Sequence, residues 1–243
     1  MKKAFTEFKK AFTLAEVLIT LVIIGVIAAL TIPNVINDYQ KRETVSRLKK
    51  AYSALCNAVK LAELNTGDSA SNWDFDLDGK DFFDRYLRPY IATAQPNSLA
   101  EYQEKARVKY LNGQDCTAES WCLQNPSTGS NYNAVLSDGT LMIIEAYHKD
   151  TSVAKVVIFD LNGLKNPNKI GRDIFAFIIQ KNEKQVVPMG AHIGHSPTNS
   201  GEDFTRANIL GNLNQSCNAN QKGEYCAGLI MIDSWQIKND YPW

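Results

Sequence analysis

The sequence carries no excess of charge of either sign. Its 243 residues include 26 Lys and Arg and 26 Asp and Glu. Without residues 1–11, which hold four lysines and one glutamate, 22 basic and 25 acidic residues remain, for a net charge of −3. Nucleic-acid binding depends on clustered positive charge that neutralises phosphates. The composition therefore gives no electrostatic case for a nucleic-acid-binding protein.

The common short motifs of catalysis are also missing. The sequence contains no G-x-S-x-G nucleophile elbow, no P-loop and no G-x-G-x-x-G turn. His192 and His195 enclose the letters HIGH, a signature of class I aminoacyl-tRNA synthetases, but no KMSKS partner accompanies them. We interpret this match as chance and expect no catalytic residues and no enzymatic activity.

Cysteine is scarce, and its spacing is uneven. Of five cysteines, Cys116 and Cys122 lie close together in the sequence, as do Cys217 and Cys226. Local pairs in an exported domain indicate disulfides, although the sequence leaves other connectivities open. Metal binding is the weaker alternative, because no C-x-x-C motif occurs. Cys56 is left over and is predicted to be a buried thiol on a helix.

A single ionisable side chain interrupts a long hydrophobic run. Residues 11–37 read AFTLAEVLITLVIIGVIAALTIPNVIN, and Glu16 is their only ionisable residue. About 20 apolar residues span a bilayer as a helix, and a carboxylate inside such a span needs a partner and marks function. No basic side chain lies between Lys10 and Lys41. We therefore expect Glu16 to pair with another chain or with a newly created amino terminus.

A basic leader precedes this run. Four lysines and the small residue Ala11 stand before Phe12, Thr13, Leu14, Ala15 and Glu16. An ordinary secretory signal has its small-residue cleavage site after the apolar region instead. A plain signal-anchor helix would explain the lysines and the apolar run but not the FTLAE order. A buried helix of a soluble enzyme would need fewer apolar residues.

The segment KKAFTLAEVLITLVIIGVIAALTIP resembles the cleavage and methylation segment of type IV prepilins and the related type II secretion pseudopilins. In that family, a prepilin peptidase cuts before the Phe, and the new amino terminus is N-methylated. The resemblance implies processing between Ala11 and Phe12. Glu16, Gly25 and Pro33 would then be residues five, fourteen and twenty-two of the mature chain, as in the family. Ala11 stands where the family usually has Gly.

The resemblance implies a structural subunit of a type IV pilus-like or type II secretion pseudopilus filament. In the family, the Glu of one subunit pairs with the amine of a neighbour, so Glu16 would meet the Phe12 amine of another copy; pairing within one chain is the alternative. The implied partners are copies of itself or related pilin subunits, the prepilin peptidase, the inner-membrane assembly machinery and the membrane.

The resemblance also implies a location. Before assembly, the protein would be a single-pass protein of the bacterial inner membrane with its head periplasmic or extracellular, and the filament would reach the cell surface. A second hypothesis is a singly membrane-anchored extracytoplasmic binding domain that does not polymerise, which would keep its leader. Pilus, secretion pseudopilus and DNA-uptake filament share this anchor, so the sequence does not choose among these machines.

Beyond the apolar run, the pattern predicts an α+β fold of the pilin-like kind. Apolar residues repeat at spacings of three and four from Val45 to Ala62, which predicts an amphipathic continuation of the helix up to the stop signal Gly67. The predicted segments are a leader over 1–11, a transmembrane and polymerisation helix over 12–33, an amphipathic helix over 34–66 and a globular head over 67–243 with a disulfide-closed C-terminal region.

Segments with a period of two predict a small antiparallel β-sheet packed on the second part of the long helix. Ser-Asp-Gly between the first two segments is a hairpin signal, and the proline in the last one is tolerated at a sheet edge. The predicted strands are 132–136, 140–147, 153–159, 173–180 and 185–188. Two short helices are predicted over 81–91 and 98–111.

An acidic segment copies the first half of a calcium loop. Asp74, Asp76, Asp78 and Gly79 match the D-x-D-x-D-G start of an EF-hand, but the twelfth position is Arg85 instead of a bidentate Glu. We therefore interpret the segment as a solvated acidic turn before a helix.

A second segment offers calcium ligands. Residues 160–173, DLNGLKNPNKIGRD, resemble a loop of the pilin-like group, and some secretion pseudopilins bind calcium in the head. Asp160, Asn162 and Asp173 are the calcium candidates, and a Gly- and Asn-rich turn is the preferred interpretation. The sequence therefore predicts no cofactor, with calcium as the alternative.

Overall fold

The chain forms a long helix followed by a head that contains a β-sheet, as a computed structural model shows. Helix α1 spans Leu14–Thr66, and Pro33 lies inside it. The chain divides into two compact units, Met1–Lys41 and Arg42–Trp243. The structure describes residues 12–95, 107–116, 132–145, 154–163, 165–180, 186–190 and 205–243.

In the first unit, α1 is an apolar helix that buries none of its described residues. Its hydroxyl groups are satisfied on the helix itself, since Thr20 donates to the carbonyl of Glu16 at 3.0 Å and Thr31 to that of Ile27 at 2.9 Å. Such bonds remove the cost of exposing a free hydroxyl to an apolar medium. The exposed large apolar side chains are Phe12, Leu14, Val17, Leu18, Ile19, Leu21, Val22, Ile23, Ile24, Val26, Ile27, Leu30, Ile32, Val35 and Ile36.

This part of α1 meets the requirements for a membrane-spanning helix by length and composition, and no other helix among the described residues does. About 20 residues at about 1.5 Å each cover the hydrocarbon core of a bilayer. The predicted long apolar helix is therefore confirmed, with its start at Leu14.

In the second unit, α1 contributes one face to the core of the head. The buried residues repeat at the spacing of an amphipathic helix, as the sequence predicted. Small side chains alternate with large ones along this face, which lets the helix approach its neighbours closely. The buried residues are Leu48, Ala51, Leu55, Ala58, Val59 and Ala62.

Among the described residues, six strands form one antiparallel sheet in chain order, with each strand hydrogen-bonded to the next. The longest pairing joins β4 and β5, in register from Ala154 opposite Gln180 to Asp160 opposite Ile174. Pro188 ends the last strand, where a missing N–H discourages further pairing. The strands are β1 Thr93–Gln95, β2 Tyr132–Leu136, β3 Leu141–Glu145, β4 Ala154–Asp160, β5 Ile174–Gln180 and β6 Val186–Pro188.

The sheet is buried on both faces. All five residues of β3 are buried, as expected for a strand covered on two sides. Met142, Val157 and Phe177 belong to the core that includes α1, whereas Ile143 and Ile158 belong to a second core. The two-sided burial explains why β3 to β5 are nearly continuous apolar runs.

The second core corrects one predicted helix. The segment 98–111 is not helical over 107–111, the part that the structure describes. Lys109 instead donates its N–H to the carbonyl of Asn168 and accepts from the N–H of Ile170, both at 2.9 Å. These long-range backbone bonds hold Val108 and Tyr110 against the second face of the sheet, and a helix there would lose them.

A short helix follows the acidic turn. Helix α2 spans Gly79–Phe82 and continues as a π-helical turn over Phe83–Leu87. The Asp78 side chain caps it by accepting the N–H of Asp81 at 2.8 Å. The aspartates of the turn are exposed, so the prediction of a solvated acidic turn before a helix is confirmed.

Ionic contacts tie the C-terminal region together. Helix α3 spans Arg206–Ile209, and α4 spans Cys226–Ile232. The Arg206 guanidinium contacts the nearly buried Asp233 at 2.8 Å and Asp240 at 2.7 Å, and Lys238 contacts Asp233 at 2.6 Å. Burial raises the pKa of Asp233, but the hydrogen bonds from Arg206 and Lys238 outweigh burial and hold this pKa below its ordinary value.

Gly171 shows how closely the C-terminal region packs on the loop before β5. The residue has a φ of +80°, and a Cβ there would lie 2.8 Å from the Sγ of Cys226. The hydroxyl of the buried Tyr241 donates to the carbonyl of the same glycine. A side chain at this position would therefore meet both backbone strain and a rigid neighbour.

We predict that Gly171→Ala destabilises the head more than Gly113→Ala, a control with a φ of +86° and open space around its Cβ. Both variants bear the left-handed backbone strain of about 1–2 kcal/mol. Overpacking against Cys226 adds about 1–3 kcal/mol to the first. Thermal unfolding of the full chain in detergent measures both, at about 2–4 °C per kcal/mol. Equal Tm values would contradict the close contact.

Candidate functional site

The start of α1 is organised by a capping box. Thr13 precedes the first helical residue, Leu14, and the Thr13 hydroxyl accepts the N–H of Glu16 at 3.2 Å. In return, the Glu16 carboxylate accepts the N–H of Thr13 at 2.9 Å and its hydroxyl at 2.8 Å. This reciprocal arrangement satisfies N–H groups that have no partner inside the helix.

Thr13 is a functional candidate that the sequence analysis missed. Glu16 was expected to need a partner from another chain or a new amino terminus, yet it has one three residues earlier in its own chain. The T-x-x-E spacing of Thr13 and Glu16 is a known start signal of helices. The sequence by itself therefore indicates this cap.

Only one oxygen of the Glu16 carboxylate takes part in the capping box. Both bonds from Thr13 end on Oε2, and no bond from the described residues reaches Oε1. The side chains of Glu16 and Phe12 are both exposed in the isolated chain. The carboxylate is thus held in a defined position with one oxygen able to accept a further donor.

Gly25 and Pro33 lie on the same exposed helix. A methyl group added at Gly25 would meet no atom of the described residues within 4 Å, so these residues do not require glycine here. Pro33 lies within the helix and is exposed, where its ring removes one backbone donor. Ala11, the expected processing residue, lies outside the described residues.

Three of the described cysteines are disulfide-bonded, and one is a free thiol. Cys217 and Cys226 are joined by a disulfide, which is the local pairing expected for the C-terminal region. Cys116 is buried and also disulfide-bonded. Cys122 lies outside the described residues, so its pairing with Cys116 stays a prediction. Cys56 is a free, half-buried thiol, and burial raises its pKa.

The calcium candidates of the loop before β5 come together, but amide donors hold their oxygens. Asp173 accepts the N–H of Lys169 at 2.6 Å, the N–H of Asn168 at 2.8 Å and the side-chain amide of Asn162 at 3.1 Å. Asp160 accepts the N–H of Asn162 at 3.2 Å. Burial raises the pKa of Asp173 despite these bonds.

These contacts are those of an Asn-rich turn that is closed by its own carboxylates. Among the described residues, no group of three or more His, Cys, Asp or Glu is arranged to hold a metal ion. The calcium role stays a prediction. The hydrogen bonds to Asp173 hold the backbone of the loop in its turn.

Two family models match the chain. One, described as a family of unknown function (DUF6613), matches residues 34–243, and the other, described as the prokaryotic N-terminal methylation motif, matches residues 8–32. No curated protein and no solved structure matches. The methylation motif is the signature of type IV pilins and pseudopilins, so the resemblance seen in the sequence is confirmed.

We predict that Thr13→Val loosens the start of α1, because valine keeps the shape of the side chain but removes the oxygen that accepts the Glu16 N–H. A lost cap costs about 1 kcal/mol, which corresponds to about fivefold faster hydrogen exchange of that amide. NMR of the full chain in micelles measures the rate. Thr13→Ser keeps the oxygen and should exchange as the wild type does; equal rates in all three proteins would contradict the capping box.

Proposed function

Since the chain belongs to the family of unknown function DUF6613 and carries the prokaryotic N-terminal methylation motif, we propose that it is a pilin-like or pseudopilin precursor that is cut by a prepilin peptidase and assembles into a filament. The observation that carries this proposal is the methylation motif at the start of the exposed apolar part of α1. Such a segment favours a structural subunit over an enzyme.

The first step of the proposal is retention in the membrane. The apolar part of α1 is long enough to span a bilayer. The leader lysines stand directly before it, and their ammonium groups would stay at the aqueous face and resist extraction. Cleavage between Ala11 and Phe12 removes them and leaves a single α-amine at the start of the helix. Processing therefore converts a firmly anchored precursor into a subunit that can leave the bilayer.

The second step is recognition through charge. Opposite charges attract strongly in surroundings of low dielectric constant, and a buried charge without a partner is costly. We propose that the methylated amine of Phe12 on one subunit binds Oε1 of Glu16 on a neighbour, while Thr13 keeps Oε2. The capping box would then hold the carboxylate ready before the partner arrives. Pairing inside one chain is the competing outcome, because residues four apart share a helix face.

The third step is the burial of the apolar surface of α1. Its large aliphatic side chains are not covered by the described residues, so lipid before assembly and other subunits after assembly would cover them. Gly25 has open space around it, and small residues let helices approach closely in membranes and in bundles. We propose that a neighbouring helix occupies the space beside Gly25.

We predict that the mature protein begins at Phe12 with an added methyl group on its amine. Mass spectrometry of the N-terminal peptide from purified filaments or from membranes measures this directly. Ala11→Gly should be processed at least as fast as the wild type, whereas a bulky Ala11→Leu should stop processing. A functional protein that keeps Lys2 would contradict the proposal and favour a permanently anchored binding domain.

We predict that Glu16→Ala stops filament assembly and leaves cleavage intact. Breaking a buried charge pair costs about 3–5 kcal/mol. In a filament this loss recurs at every contact between subunits, so the filament should not form. Glu16→Gln should fail in the same way, since it keeps the shape and loses the charge. Glu43→Ala is the matched control, because Glu43 lies on α1 in the second unit and is paired with Arg47 alone among the described residues. Shear fractions and electron microscopy measure assembly; normal filaments from Glu16→Ala would refute the role of the charge.

A further inference from the structure

The head carries a concentration of negative charge on the segment that follows α1. Residues 68–88 contain six aspartates and three basic residues. Two of the basic residues, Lys80 and Arg88, both pair with Asp84. Four exposed aspartates have no ion pair among the described residues, and we call their surface the acidic end. They are Asp74, Asp76, Asp78 and Asp81.

A second surface gathers positive charge around the loop before β5. Lys109 and Lys169 are direct partners in a parallel β-bridge, so their side chains lie next to each other on the same side. The N–H of Arg172 donates to the Lys169 carbonyl at 3.0 Å, which places a third basic residue in the same turn. Lys109 is exposed, and the other two are half-buried. We call these three residues the basic end.

The described residues compensate the basic end only in part. Asp115 lies 3.9 Å from Lys109 and is itself exposed, and such a pair contributes little. Asp173 is buried inside the loop, where its carboxylate accepts the N–H of Lys169 at 2.6 Å. Burial lowers the pKa of the Lys169 ammonium, and the charges of Arg172 and Lys109 lower it further. Because neighbouring like charges are destabilising, the basic end would gain from a partner with negative charge.

The two charged surfaces lie at opposite ends of β4. At the start of the strand, the Lys155 ammonium donates to the carbonyl of Leu77 in the acidic turn. After the strand, the N–H of Leu161 donates to the carbonyl of Asp173 in the loop before β5 at 2.9 Å. The six residue steps between Lys155 and Leu161 cover about 20 Å. This distance exceeds the screening length of about 8 Å in physiological salt, so the two ends cannot neutralise each other within one head.

Helix α1 runs between the same two ends. Arg47 donates to the carbonyl of Leu161, next to the basic end, at 3.1 Å. Further along the helix, the carboxylate of Glu63 accepts the N–H of Ala70, just before the acidic end, at 2.8 Å. From Arg47 to Glu63 the helix rises about 24 Å. The surface charge of the head therefore changes sign along the direction of α1.

We propose that the acidic end of one copy binds the basic end of the next copy. This inference rests on the proposed assembly into a filament, and it adds a contact between heads to the contact between helices. The contact joins two different surfaces of the same chain, so it can repeat in one direction and extend a filament. Each contact brings carboxylates to the neighbouring lysines, which relieves the repulsion between Lys109 and Lys169.

Reversing the charge of either end should stop assembly. One variant combines Lys109→Glu with Lys169→Glu, and the other combines Asp76→Lys with Asp81→Lys. Each should lower the filament yield at least about tenfold, because like charges across an interface cost more than the about 1.4 kcal/mol that this factor requires. Shear fractions and electron microscopy measure the yield. The matched control, Lys109→Arg with Lys169→Arg, keeps the charge and should assemble as the wild type does.

The decisive variant carries both reversals in one chain. Its two ends exchange their signs, so successive copies again present opposite charges to each other and filaments should return. Thermal unfolding of each full-length variant in detergent shows whether it folds. Where a reversal lowers the Tm, the neutral pairs Lys109→Gln with Lys169→Gln and Asp76→Asn with Asp81→Asn replace it, and each should still reduce the filament yield.

The outcomes separate this inference from the proposed function. A processed wild-type protein that forms no filaments would overturn both. Wild-type filaments together with equally abundant filaments from the folded single-end variants would overturn only the contact between heads. A doubly reversed chain that folds as the wild type does and still forms no filaments would also overturn that contact.

Discussion

The structure depends on one helix that must satisfy two different surroundings. The part of α1 in the first unit exposes apolar side chains all round, which is stable only in lipid or against other chains. The part in the second unit exposes one polar face and buries a stripe from Leu48 to Ala62. Because the two demands follow each other along one element, the same helix combines an apolar part long enough to span a membrane with a part that belongs to the core of the head.

Two charges in apolar surroundings are handled by the same physical means. The Glu16 carboxylate accepts hydrogen bonds from the N–H and the hydroxyl of Thr13 at the start of the helix. The Lys155 ammonium donates a hydrogen bond to the backbone carbonyl of Leu77 in the acidic turn. In each case, groups of the same chain meet part of the demand. For Glu16 we propose that a charge on another subunit meets the rest.

The C-terminal region closes the head through several kinds of contact at once. The disulfide of Cys226 packs against Gly171, whose carbonyl also receives the Tyr241 hydroxyl. Arg206 and Asp233 form an ion pair that is almost excluded from water on the aspartate side. The disulfide-bonded Cys226 and the Tyr241 hydroxyl both meet the loop before β5 at Gly171. These contacts explain how a segment rich in Asn and Gly keeps a defined shape.

The sequence alone was sufficient for features that depend on neighbours in the chain. The long apolar run around Glu16 predicts a membrane-spanning helix from its length alone. The buried stripe of α1 and the strands β2 and β3 follow from the periodic spacing of apolar residues within each element. Only the tertiary structure decided the second core at Tyr110, the burial of Lys155 under a turn far away in sequence and the need for glycine at Gly171. These features arise from the register of the sheet and from loop contacts, which bring together residues that no local periodicity connects.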